Sequence, residues 1–245
     1  VDPLRILFCG SDSFSIASLN ALYDQKSKNH GLISSIDVVC RPGKRVGRGL
    51  KEVREVPIKQ AAQNLELPIH EIDTFTGWQP PVPDQGPINL IIAVSFGLFI
   101  PPRILGSAQY GGINVHPSIL PDLRGPAPIQ HAIIRDRESW GVTVQTLHPK
   151  HFDQGTILFR ERFEERIWPR GTTPKFAKAG SGALYGYFER QLATLGAQSL
   201  IRTLEDRLYI EPPAQLSQTS NHVEQTPKAI DHASKIGSED RRIDW

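Results

Sequence analysis

Asn114 and His116 stand two residues apart in Ile113-Asn-Val-His-Pro-Ser118, and their types suggest chemistry before any fold is assigned. The stretch reads as a short strand ending in a Pro-Ser turn. Residues i and i+2 of a strand leave the same face. An amide beside an imidazole suits the polarisation of a carbonyl. The amide donates to the oxygen, and the imidazole adds a proton or a positive charge as the oxygen turns anionic. A third group is expected further on. Gly141–Leu147 alternates like a strand and leads into His151-Phe-Asp-Gln-Gly155. Asp153, just ahead of a glycine turn, could pair with His116, fix its tautomer and favour its protonated form. Singly, Asn-x-His and Asp-x-Gly are more often plain turns. Their joint occurrence with the loop Pro117–Pro128 gives them weight. Ser118 as a nucleophile is weaker, because it lacks the Gly-x-Ser-x-Gly elbow.

The elements that must position these groups follow from patterning. Leu4–Cys9 is a short apolar run closed by Gly10-Ser-Asp-Ser13, which predicts a strand, a tight turn and a capped helix. The helix is predicted over about Phe14–Tyr23, with Phe14, Ala17, Ala21 and Leu22 along one face and a loop over 26–31. Ile33–Cys40 reads as a second strand, so the chain opens β-α-β with a right-handed crossover. A dinucleotide site is excluded at the first turn, which has one glycine where the fingerprint needs three. Pro57–Asn64 reads as a short helix and Leu67–Ile72 as an edge strand. Ile88–Val94, apolar except for Asn89, belongs at the sheet centre. Ser95–Pro101 reads as the strand exit packing on the next helix, at the carboxyl end of the central strands, where open α/β sheets bind ligands. Gln130–Asp136 predicts a helix, Thr156–Arg162 a strand, and Leu184–Leu204 one or two amphipathic helices. The fold class expected is α/β: an open, mostly parallel twisted sheet with helices on both faces.

Composition narrows the function classes. The chain has 245 residues, 39% hydrophobic and 22% charged, enough for one large domain and a tail. No apolar run reaches membrane-spanning length. Cys9 and Cys40 both follow apolar stretches and read as buried thiols of a reducing compartment; no His or Cys spacing suits zinc, so no metal is expected. The net charge of +2 does not by itself signal a polyanion partner. Its distribution matters more. Arg41-Pro-Gly-Lys-Arg-Val-Gly-Arg-Gly-Leu-Lys51 is the most basic segment and reads as a mobile surface loop, either simply solvated or wrapping an RNA backbone. The chain starts at Val1 and contains no methionine, so a processed terminus or a fragment is expected, with no signal or transit segment to read.

The run Asn114-Val-His116-Pro-Ser118-Ile-Leu-Pro121, with Arg124-Gly-Pro-Ala-Pro-Ile-Gln130, Gly141-Val-Thr143 and Asp153-Gln-Gly155, resembles the methionyl-tRNA formyltransferase family. The Asn, His and Asp constellation is shared by folate-dependent formyltransferases at large; the Arg-Gly-x-Ala-Pro-Ile-Gln run is narrower. The resemblance implies transfer of a formyl group from 10-formyltetrahydrofolate, a substrate, to the amino group of methionyl initiator tRNA in translation initiation. It implies Asn114, His116 and Asp153 as catalytic residues. Phe96, Gly97 and Leu98, with Ser118, Ile119, Leu120 and Pro121, would contact the folate. Arg48 would be the key tRNA contact, supported by Arg41, Lys44, Arg45 and Lys51. The sequence departs from the family at Asp122-Leu123, where a basic and an aromatic residue are usual, and at Phe96, where tyrosine is common. Residues 167–182 look like an enlarged, more basic family loop. Residues 210–226 read as a linker, and Ala233-Ser-Lys-Ile236 and Glu239-Asp-Arg-Arg-Ile-Asp-Trp245 resemble the passage into the family's C-terminal β-barrel domain. The expected organisation is therefore a catalytic domain over 1–207 and a linker over 208–245 leading to an absent C-terminal domain. A monomer is expected, without membrane association, in the mitochondrial matrix. Two alternatives stay open: formyl transfer to a small amine such as glycinamide ribonucleotide or an amino-sugar nucleotide, and a folate- or RNA-binding remnant without activity.

Overall fold

The first strand, β1 (Leu4–Gly10), forms from the apolar run between Pro3 and the Gly10 turn. The computed structural model describes residues 2–29, 31–137, 139–163, 181–210, 231–237 and 240. Asp12 caps α1 (Ser13–Lys28), its Oδ1 accepting the Ser15 backbone N–H at 3.1 Å. Then come β2 (Ile33–Cys40), β3 (Lys44–Val46), β4 (Glu52–Arg54), α2 (Pro57–Asn64), β5 (Ile69–Glu71) and β6 (Leu90–Val94). The chain continues through α3 (Pro102–Leu105), β7 (Gly112–His116), α4 (Pro128–Ile134), β8 (Trp140–Thr146), β9 (Ile157–Phe163) and α5 (Ser181–Glu205).

Seven strands form one sheet in the order β5-β2-β1-β6-β7-β8-β9. The first five run parallel. β8 pairs antiparallel with β7, and β9 antiparallel with β8. The mostly parallel α/β sheet read from the sequence is thus present. Its two faces are covered unequally. α1, α2, α4 and α5 pack with Phe8, Ile92, Val115 and Val144 into the larger core. The opposite face, with Leu7, Cys9, Ile91 and Ala93, is closed by the four-residue α3 and by loops carrying Phe75, Phe96 and Ile100. β6 is buried at every residue, as a central strand covered on both faces must be.

Three expectations are corrected. α1 runs five residues past Tyr23, because Gln25, Lys26 and Lys28 are good helix formers and the lysines suit the helix's C-terminal dipole. Its buried stripe is Phe14, Ser15, Ser18, Leu19 and Leu22, with Ala17 and Ala21 only half-buried, since α1 packs on both the sheet and α5. The basic segment is not a bare loop: β3 and β4 pair as an antiparallel hairpin, with Lys44 opposite Arg54 and Val46 opposite Glu52. The stretch expected to be linker is partly built into the domain. Tyr209 is buried, and Ala233 is buried against the loop that follows β7. Residues 167–180 of the basic insertion, 211–230 of the linker and 241–245 of the terminal motif lie outside the described residues. Cys9 and Cys40 are free and buried, as their positions at strand ends implied.

Candidate active site

The site is assembled by strand register. β7 lies parallel to β6, which sets Asn114 beside Ala93, and antiparallel to β8, which sets Asn114 opposite Gln145. Residues directly opposite across a ladder share a face. Asn114 Nδ2 donates one hydrogen to the Ala93 carbonyl at 2.9 Å. Its Oδ1 accepts from Gln145 Nε2 at 3.3 Å. The amide is therefore held by both ends, and the second hydrogen of its NH2 group remains for a ligand. Gln145 Nε2 also reaches Asp153 Oδ1 at 3.4 Å, while its Oε1 accepts the Gly155 N–H at 3.1 Å. A single buried glutamine thus ties Asn114 to Asp153.

His116 is buried at the end of the same strand. Its Nε2 lies 3.1 Å from the Leu123 carbonyl oxygen. A carbonyl only accepts, so Nε2 carries the hydrogen of the neutral ring and proton exchange falls to Nδ1. Nδ1 stands 3.6 Å from Asp153 Oδ1, an ion-pair separation slightly beyond hydrogen-bond length. Asp153 adopts φ 54°, a left-handed conformation that a non-glycine residue keeps only when its surroundings impose it. The Gly125 N–H supplies that constraint, donating to Asp153 Oδ2 at 2.8 Å. Gly155 closes the same turn: a Cβ there would lie 1.6 Å from the Thr146 carbonyl oxygen, so only glycine fits.

A cavity of about 580 Å³ opens at this point, within the range of small-molecule sites. Asn114, His116, Gln145 and Asp153 line it, as do Phe96, Gly97 and Leu98. Asp12 and Tyr185 line it as well. Burial raises the Asp12 carboxyl above its ordinary range, with hydrogen bonds from Ser15 and Ser95 working against the rise. Burial, with the nearby carboxylates of Glu189 and Asp12, pushes the Tyr185 phenol up to about 12.

The three residues proposed for catalysis are brought together, and so are Phe96–Leu98. Ser118, Ile119, Leu120 and Pro121 are not on the cavity wall. Two of their polar groups are bonded elsewhere: Ser118 Oγ donates to the Asp122 carbonyl at 2.8 Å, and Leu120 N donates to Thr143 Oγ1 on β8 at 3.0 Å. This turn shapes the loop behind His116. Arg41, Lys44, Arg45, Arg48 and Lys51 also lie off the cavity, Arg41 just after β2 and the other four on the β3–β4 hairpin. Lys44, Arg45, Arg48 and Lys51 are exposed, whereas Arg41 pairs with Asp73 at 3.0 Å. Sequence reasoning missed Gln145 and the backbone of Leu123 and Gly125. The strand alternation of β8 was the one available signal for Gln145, because it places Thr143 and Gln145 in phase. No group of three or more His, Cys, Asp or Glu side chains suited to a metal ion occurs among the described residues.

Residues 4–178 match the family model described as Formyl transferase. A mitochondrial methionyl-tRNA formyltransferase of Saccharomyces cerevisiae is 35% identical over 271 residues, covering 100% of this chain and 65% of that protein. The human mitochondrial methionyl-tRNA formyltransferase is 32% identical, over 99% of this chain and 53% of that protein. A methionyl-tRNA formyltransferase of the bacterium Syntrophomonas wolfei is 30% identical, over 99% and 68%. The chain thus spans from about half to two thirds of the length of these relatives. Among solved structures, a glycinamide ribonucleotide transformylase of Symbiobacterium toebii superposes with a TM-score of 0.56 at 13% identity, over 82% of this chain and 86% of that one. An N-formyltransferase of Helicobacter canadensis, solved with folinic acid and dTDP-3-aminofucose, gives 0.55 at 14% identity, over 97% and 72%. At such identities the likeness is one of fold.

Proposed function

The chain belongs to the formyl transferase family, and on that premise we propose that it transfers the formyl group of 10-formyltetrahydrofolate to the amino group of methionyl initiator tRNA. The observation that carries the reading is the convergence of Asn114, His116 and Asp153 on one cavity, with Gln145 joining the first to the last. The relatives' names support the tRNA acceptor, and the basic β3–β4 hairpin supports it independently. Among residues 41–54, six are Arg or Lys and one is Glu. Such a hairpin suits phosphate contact. The mitochondrial relatives support a mitochondrial matrix location.

The folate fits the cavity by size and by character. Phe96, Leu98 and Ile100 supply apolar wall for a pterin. The amine attacks the formyl carbon, a C–N bond forms and the carbonyl oxygen becomes an oxyanion. The free hydrogen of Asn114 Nδ2 stabilises that oxygen, a donor typically worth about 3 kcal/mol of barrier. The bond to N10 then breaks, and the proton lost by the amine is delivered to N10 by way of His116 Nδ1 and Asp153. The nucleophile belongs to the substrate, so no covalent enzyme intermediate is needed.

The test is incubation with labelled 10-formyltetrahydrofolate and either methionyl initiator tRNA or glycinamide ribonucleotide. Formylated methionyl-tRNA is expected. Product from the small amine alone would replace the acceptor, and donor binding without transfer to either would remove the activity.

A further inference from the structure

The loop that supplies both backbone partners of the site is held from outside by a stretch of chain about a hundred residues away. Leu123 N donates to the Asp231 carbonyl at 2.8 Å, and Ala233 N donates to the Arg124 carbonyl at 2.7 Å. Ala127 N donates to the Ala233 carbonyl at 3.3 Å, so Arg124 and His232 form a parallel bridge. Around this ladder Asp231 sits between two guanidinium groups, paired with Arg135 at 3.2 Å and with Arg137. Arg137 also reaches Asp122 at 3.3 Å, whose Oδ1 accepts the Asp231 N–H at 3.1 Å. Buried His131 meets the Ser234 carbonyl through Nε2 at 2.9 Å. The approach is close enough to require glycine: a Cβ on Gly125, at φ 117°, would lie 2.5 Å from the Ala233 carbonyl oxygen.

The same loop residues set the chemistry. Leu123 offers the carbonyl that fixes His116 Nε2, and Gly125 offers the N–H that fixes Asp153. Leu123 itself adopts φ 56°, a conformation leucine avoids and keeps only under external constraint. We propose that Asp231–Ser234 is a brace that positions His116 and Asp153 for the transfer, with Asp231 and its two arginines as positioning residues. The proposal rests on the formyl-transfer reading and adds to it a role for a segment the sequence presents as a linker. Without the brace, Leu123 and Gly125 relax, and the imidazole and carboxylate lose their common geometry. A displacement of about 1 Å among such groups typically lowers the rate about 100-fold.

The experiment compares the wild-type chain with Asp231→Ala and Asp231→Glu. In Asp231→Ala, kcat for formyl transfer is expected to fall about 10- to 100-fold with the donor KM within about twofold. Asp231→Glu is expected to recover most of the loss. The imidazole 15N signals of His116 are expected to move in Asp231→Ala while the folded spectrum persists elsewhere. A folded Asp231→Ala with wild-type kcat would overturn the brace, as would a lower kcat with wild-type His116 signals. Should Asp231→Ala fail to fold, Arg135→Ala, which removes only one of the two pairs, gives the same readouts. If the wild-type chain transfers formyl to no amine, the formyl-transfer reading fails by itself. The His116 signals still decide the brace: shifted signals support it, and unchanged signals overturn it.

Discussion

Asn114 and His116 were legible as a pair because a strand period of two is a local property, readable from two letters. Their partners were not. Gln145 is 31 residues from Asn114 and meets it only through the antiparallel register of β7 and β8. The Leu123 carbonyl and the Gly125 N–H are backbone atoms, which residue type does not advertise. Gln145 gives the sharpest prediction at this scale. Gln145→Leu keeps the volume but removes the donor shared by Asn114 and Asp153 and the acceptor for Gly155. The turnover number is expected to fall about 10- to 100-fold. Steady-state kinetics beside a thermal melt checks this; wild-type turnover in a folded variant would strip Gln145 of its role.

At the scale of elements, apolar strands announced themselves and short polar ones did not. β6 and β2 stand where their Ile, Val and Leu runs placed them. The β3–β4 hairpin was hidden because its strands are three residues long, exposed and highly charged, so no buried face imprints an alternation. The turn Ser118–Pro121 carried a family motif, and its Ser118 hydroxyl and Leu120 N–H are bonded to Asp122 and Thr143. The hairpin's prediction is electrostatic. Arg48→Ala with Lys51→Ala is expected to lower kcat/KM for methionyl-tRNA and to reduce its dependence on salt, leaving the donor KM unchanged. Measuring kcat/KM across a salt series decides it, and an unchanged slope would detach the hairpin from RNA.

The whole molecule adds what neither scale holds: contacts between stretches far apart in the chain. The unequal layering of helices and the docking of Asp231–Ser234 both depend on such contacts, so the sequence could suggest the sheet but not the brace. The central sheet also hides both thiols. Burial raises the Cys9 thiol strongly and pushes Cys40 up to about 11, where Glu71 adds to the rise. The thiolate is the reactive form, so at pH 8 neither cysteine is expected to react with a disulfide reagent in the folded protein. Both of the chain's cysteines should titrate once guanidinium unfolds it. A thiol reacting in the native state would contradict the buried placement. The account as a whole stands on chemistry at Asn114, His116 and Asp153. Its most direct test is a single-turnover measurement of labelled formyl passing from 10-formyltetrahydrofolate to methionyl initiator tRNA, in the wild type and in Asn114→Ala. The account predicts formylmethionyl-tRNA from the wild type and a rate about 100- to 1,000-fold lower from the variant; equal rates, or no transfer by the wild type, would contradict it.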